Sequence, residues 1–275
     1  TMAKFRKFAK KNPTFILYCV LALVVVLIAV FAPLIATHDP YAAVLADAVQ
    51  PPSSEHWFGT DKMGRDLFSR VIFGARTSLT AAIALVAIIV VAGTALGIVA
   101  GYFGGIVDAV IMRLSDMMIS FPGMVLAIAV AGILGANIKN AVVAIAIVSW
   151  TKYARLARSL VLKIKNRDYI AAARVTGSKT GHILWSYMLP NALPTIVITG
   201  ATDIGSMMLE IAGLSFLGFG AQSPTAEWGL MLNEGRAFMT AAPWLMVFPG
   251  LAIFITVVVF NLLGDSLRDV LDPRS

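Results

Sequence analysis

Two carboxylates, Asp203 and Glu210, stand seven residues apart in an otherwise apolar stretch, with Ser206 and Met207 between them. On a helix these four positions fall near one face, because residues three, four and seven apart stack along it. An acid at mid-membrane costs on the order of 2.5–3.5 kcal/mol on insertion scales, so the face should meet protein or water and not lipid. We read it as a candidate wall of a translocation pathway, with a structural role between helices as the equal alternative. The remaining reactive side chains outline no enzyme. His38, His56 and His182 lack HExxH spacing and a neighbouring nucleophile, which argues against zinc hydrolase and triad chemistry, and no metal site is assigned. Gly177-Ser178-Lys179-Thr180 has a Lys-Thr pair but no glycine directly before the lysine and no strand ahead of it, so it is not a phosphate loop and no cofactor is expected on the chain. Cys19 is the single cysteine, which rules out disulfide frameworks, Cys-based zinc sites and CxxC redox chemistry.

The elements that position these residues belong to a membrane. Of 275 residues, 59% are hydrophobic and 13% charged, against about 25% charged in a soluble domain. The net charge of +7 is spread between apolar runs and forms no basic face, so nucleic acid is not a partner. We expect an all-α integral membrane protein with six transmembrane helices, over Phe15 to Ala36, Ser78 to Gly101, Met117 to Leu134, Ala141 to Val161, Pro194 to Leu217 and Pro243 to Gly264. The first run is too long, and lacks the cleavage pattern, for a removable signal. The plan is an arm over 1–13, a first span over 14–36, an extracytoplasmic segment over 37–77, a five-helix core over 78–264 containing a loop at 162–193, and a tail over 265–275.

Short loops rich in Lys and Arg stay in the cytoplasm. The arm carries Lys4, Arg6, Lys7, Lys10 and Lys11 and no acid, and the basic stretch that begins within the last turns of span four and runs into the loop after it collects Lys152, Arg155, Arg158, Lys163, Lys165, Arg167, Arg174 and Lys179 against Asp168 alone. Both termini are therefore expected on the cytoplasmic side. In the outer segment, the alternation from Met63 to Phe73 suggests an interfacial helix. Gly93, Gly97, Gly101 and Gly105 form a four-residue strip for close helix packing. Pro122 and Pro249 are candidate kinks, and Glu227 and Trp228 on the second outer loop are candidate contacts for an extracytoplasmic partner or an interfacial anchor.

The cytoplasmic loop has its own design. Ala171, Ala172 and Ala173 favour helix and leave little bulk, so a partner can approach the backbone, and Gly177 can stop that helix. Ala172, Ala173, Gly177, Leu189 and Pro190, with Tyr187 in the apolar place, resemble the EAA motif of binding-protein-dependent ABC importer permeases. Ala171 stands where that family usually has Glu. The segments Phe58 to Asp66, Gly74 to Leu79, Leu214 to Gly220, Glu227 to Gly229 and Asn261 to Asp269 are similar to the peptide/nickel subgroup, and the likeness covers about residues 14 to 273. It implies a permease subunit of the bacterial inner membrane, for di- or oligopeptides, nickel or metal chelates. Such a subunit works with a homologous permease, two cytoplasmic ATPases holding ATP and Mg, and an extracytoplasmic solute-binding protein. The resemblance also makes Tyr169 to Gly181 the ATPase-coupling segment, with Tyr169, Ala171, Ala172, Ala173, Arg174, Gly177, Ser178 and Gly181 as its contact residues. A stand-alone secondary transporter is the alternative. It would need no coupling loop and should show internal repeats, of which none is convincing.

Overall fold

The computed structural model describes residues 12–271, and every regular element among them is helical. The basic arm and Arg274 lie outside the described residues. Helix α1, Pro13–Val30, starts with proline at its first position, where the missing N–H costs nothing. A short α2, Ala32–Ile35, follows. Next come α3, Leu67–Phe103, and the pair α4, Gly105–Ser120, and α5, Gly123–Leu134. Then α6, Ile138–Ile164, leads to α7, Asp168–Val175, and α8, Thr180–Ile183. The chain closes with α9, Leu189–Phe216, α10, Trp228–Gly235, and α11, Trp244–Leu271.

Among the described residues four helical runs are long and apolar enough to cross a membrane: α1, α3, the run Thr180–Phe216, and α11; the bent pair α4 and α5 makes a fifth if counted as one. Helix α6 covers the expected fourth span and, at about 40 Å, has the length. Its second half, however, carries Lys152, Arg155, Arg158 and Lys163. It is held in the bundle chiefly by α3, the partner with which it packs most extensively. The seam between them is the glycine strip. A Cβ on Gly93 would come within 2.6 Å of Tyr153 Cβ, one on Gly97 within 2.8 Å of Ala157 Cβ, and one on Gly101 within 2.9 Å of Val161 Cβ. Side chains of ordinary size would force the helices apart.

Three expectations are corrected. Gly105 is not part of the strip: it opens α4 at φ +54, and a Cβ there would meet nothing within 4 Å. The interfacial helix expected over Met63 to Phe73 does not form separately. Asp66 caps α3 by accepting the Ser69 N–H, and Leu67, Ser69, Arg70 and Val71 are buried beneath the outer segment instead of facing lipid. The third span is not one helix. Pro122 drives Phe121 into an extended conformation, as the residue before proline is driven generally, and α4 and α5 meet at 95°. Pro249, by contrast, lies inside α11, which continues through it.

The fifth span begins earlier than its sequence pattern, because Thr180–Phe216 is continuous through a π turn at Leu184–Met188. Pro190 lacks an N–H and crowds the carbonyl four residues back, so the Leu189 N–H reaches five residues back to Leu184 O instead. Asn191 Nδ2 donates to the Tyr187 carbonyl at 2.6 Å.

Candidate functional site

The four candidate pathway residues come together. Asp203, Ser206, Met207 and Glu210 of α9 all line a cleft of about 410 Å³, with Ile119, Phe121 and Gly123 from the break between α4 and α5 and with Val148, Ser149 and Lys152 of α6. Ser206 and Glu210 also line an adjoining cleft of about 460 Å³ that runs on to Val257 and Asn261 of α11.

Asp203 is not a free acid. Lys152 Nζ donates to its two oxygens at 2.7 and 2.8 Å, and the Tyr153 hydroxyl donates to Oδ2 at 2.7 Å. The carboxylate is 6% exposed and the lysine side chain 56%, so the cation lies open to the cleft while its partner lies behind it. Among the described residues Glu210 makes no hydrogen bond or ion pair, and it reaches both clefts. The cleft thus offers one exposed ammonium and one unpaired carboxyl.

The sequence pattern groups Lys152, Arg155 and Arg158, in the last turns of the expected fourth span, with the basic stretch that orients the chain. The structure places all three on α6, where Arg155 pairs with Asp116 and Arg158 binds Asp108 through two nitrogens. Their spacing of three on an otherwise apolar helix is the signal that could have revealed them as partners of acids on neighbouring helices.

The segment Tyr169 to Gly181 forms an elbow: helix α7, a turn at Gly177 and the start of α8. Ile170 and Ala173 are the buried side of α7, while Tyr169, Ala171, Ala172, Arg174, Gly177 and Gly181 are exposed and Ser178 is half-buried. At the C-terminus the Gly177 N–H donates to Arg174 O and the Ser178 N–H to Ala173 O, both at 3.0 Å, with Gly177 at φ +82. This glycine-closed ending ties off the last carbonyls and turns the chain back toward α8. Arg174 lies 5.5 Å from the Tyr102 ring at the end of α3, which links the elbow to that helix. Val175, which sequence reasoning did not single out, is 88% exposed on the elbow, an apolar side chain with nothing over it.

Glu227 and Trp228 are not available as surface contacts. Both are buried, and they fasten α10 to α3. Glu227 caps α10 by accepting the Gly229 and Leu230 N–H groups at 2.9 and 2.8 Å and also accepts from Ser78 Oγ at 3.2 Å. The Trp228 indole N–H donates to Val71 O at 2.9 Å. Burial pushes the Glu227 carboxyl above its usual range, against the pull of these donors. Nearby, Arg65 joins Asp61 at 2.6 Å to Glu234 at 3.1 Å, and the fully buried Arg70 donates to Pro40 O and Pro224 O at 3.1 and 3.2 Å. This network makes the outer segment and α10 one cap over the end of α3 opposite the elbow. His38 and His56, treated as unrelated in the sequence, lie side by side here on Asp66.

The chain matches the family model described as binding-protein-dependent transport system inner membrane component over residues 93–275. A second model, the N-terminal TM domain of oligopeptide transport permease C, matches residues 3–52. Similar proteins include the dipeptide transport system permease protein DppC of Alkalihalophilus pseudofirmus, 43% identical over 96% of this chain and 87% of that protein. The glutathione transport system permease protein GsiD of Pectobacterium atrosepticum is 49% identical over 81% of this chain and 74% of its own length. The nickel transport system permease protein NikC of Escherichia coli is 41% identical over 86% of each chain. These relatives are named as permease proteins of transport systems. The chain therefore belongs to the binding-protein-dependent transport system inner membrane components, the permease subunits of ABC importers.

Proposed function

We propose that this subunit pairs with a homologous permease to form a pathway for di- or oligopeptides or for nickel or a metal chelate, and that separate ATPase subunits drive it through the α7 elbow. The observation that carries this reading is the elbow itself: an eight-residue helix with exposed Ala171 and Ala172, closed by Gly177 and tied to α3 through Tyr102. Small side chains let a groove on an ATPase close around the backbone. A push there is delivered to α3 and, along the glycine seam, to α6 and its cleft.

The cleft supports a small solute with charges of both signs, because Lys152 and Glu210 face it together. Peptides have an ammonium and a carboxylate, and the relatives' names include dipeptide, glutathione and nickel transport. The proposed orientation puts the elbow and both termini in the cytoplasm of a bacterial cell and the cap outside, facing a solute-binding protein. Both permeases of the pair and six spans in this one belong to the same proposal.

Site-specific crosslinking tests it. With Cys19→Ser as background, Ala172→Cys in the assembled transporter should crosslink to an ATPase subunit and not to the solute-binding protein, whereas Glu55→Cys on the cap should do the reverse. Crosslinks of Ala172→Cys to the solute-binding protein would overturn the orientation and the coupling together.

A further inference from the structure

Three side chains from separate parts of the cap converge on one point. His56 Nδ1 lies 2.9 Å and His38 Nδ1 3.8 Å from the same oxygen, Asp66 Oδ1, and the three ligand atoms lie within 4.8 Å of one another. We propose that His38, His56 and Asp66 form a binding site for a divalent transition-metal ion of the zinc, cobalt or nickel kind. The site is distinct from the cleft and does not depend on which solute the transporter carries.

The chemistry of the donors sets the class of ion. Two imidazole nitrogens and one carboxylate oxygen suit borderline first-row cations, whereas magnesium and calcium take oxygen sets. In a tetrahedral site with bonds of about 2.0–2.1 Å, ligand atoms stand about 3.4 Å apart. The observed 2.9 and 3.8 Å bracket that separation, so each contact with Asp66 needs a shift of about half an ångström, and the two imidazoles, within 4.8 Å of each other, close by up to about 1.4 Å as an ion enters.

The surroundings hold the trio ready. Asp66 Oδ2 is engaged by the Ser69 N–H at 2.8 Å as the cap of α3, which leaves Oδ1 aimed at the imidazoles. Ser69 Oγ accepts the His38 backbone N–H at 3.0 Å, so one serine steadies both the carboxylate and the histidine. A helix cap needs one imidazole N–H on Oδ1 at most, which His56 supplies; His38 Nδ1 meets the neighbouring Thr37 hydroxyl at 3.0 Å, an exposed contact that a metal bond would replace. The side chains are 2%, 12% and 38% exposed for Asp66, His56 and His38, so the site is anchored at its base and open at its rim. Three protein ligands and an open fourth position can exchange ions with the outside. An ion there would join the segment after α2, the loop at His56 and the start of α3, and so stiffen the cap.

The test uses the full chain in detergent, freed of any polyhistidine tag, with cobalt(II) and zinc chloride as probes. Wild-type protein should take up one equivalent of cobalt with visible absorption of a low-coordinate site, displaced by zinc and not by magnesium. His38→Gln, at the exposed rim, should weaken zinc binding by about tenfold or more while leaving thermal unfolding of the metal-free chain unchanged. Asp66→Asn, which keeps an oxygen to cap α3, should weaken it likewise, and zinc should raise the unfolding temperature of the wild type only. Failure of the wild type to bind either ion, or equal binding by His38→Gln, overturns the proposal. Neither result bears on coupling through the elbow.

Discussion

Asp203 concentrates the electrostatics of the cleft. Its carboxylate is neutralised by Lys152 and held by Tyr153, so removing the lysine strands a buried anion with one remaining donor. Lys152→Met should lower thermal stability in detergent by about 1–3 kcal/mol. The double change Lys152→Met with Asp203→Asn should recover most of that loss, because the two substitutions remove the charge together. Additive losses would show that the pair does not act as a unit. Glu210 has no such partner among the described residues, and Glu210→Gln should leave stability near wild type while altering uptake; unchanged transport and selectivity would remove it from the pathway. At the cap, Glu227→Ala forfeits a helix cap and strands Ser78, with an expected cost of about 2 kcal/mol in the same assay. The acids were visible in the sequence because a charge in an apolar run is conspicuous. Their partners were not, since Lys152 looked like the start of a loop and nothing local tells an orienting lysine from one that turns back to α9.

At the scale of elements, the glycine seam and the elbow were legible and the broken span was not. A four-residue repeat of glycine is a direct statement about helix approach, and it holds at Gly93, Gly97 and Gly101. It fails at Gly105, where the repeat continues but the helix has ended, because periodicity alone does not register Gly104 and Gly105 in left-handed conformations. The difference is measurable. Gly97→Ala sets a methyl against the Ala154 carbonyl of α6, where backbone cannot give way, and should cost about 2–3 kcal/mol, whereas Gly105→Ala meets open space and should cost about 1 kcal/mol of backbone strain. Equal losses at the two positions would mean that α3 and α6 are not closely apposed there. The apolar run from Met117 to Leu134 looked like one span because hydropathy does not record a bend. Phe121-Pro122 marked the place, yet only the packing of α5 on α6 decides between a kink and a 95° break.

Over the whole molecule, α3 is the strut. At about 55 Å it exceeds the hydrocarbon thickness, which lets it carry the cap at Asp66 and Arg70 at one end and meet Arg174 of the elbow through Tyr102 at the other. The sequence disclosed both ends as motifs but not that one helix joins them, since the Met63 to Phe73 pattern read equally well as a separate surface helix. Labelling in sealed vesicles should therefore modify Lys62 and Lys179 from opposite sides. The claim on which the account turns is that work enters at the elbow, and uptake by the reconstituted transporter tests it most directly. Ala172→Trp changes an exposed side chain and should leave the thermal stability of the isolated subunit intact. Whatever its effect on docking of the ATPase, it leaves folding of the subunit itself unchanged and should reduce solute uptake about tenfold or more, the size expected when a central interface contact is lost. Uptake at the wild-type rate by the Ala172→Trp transporter would contradict the account.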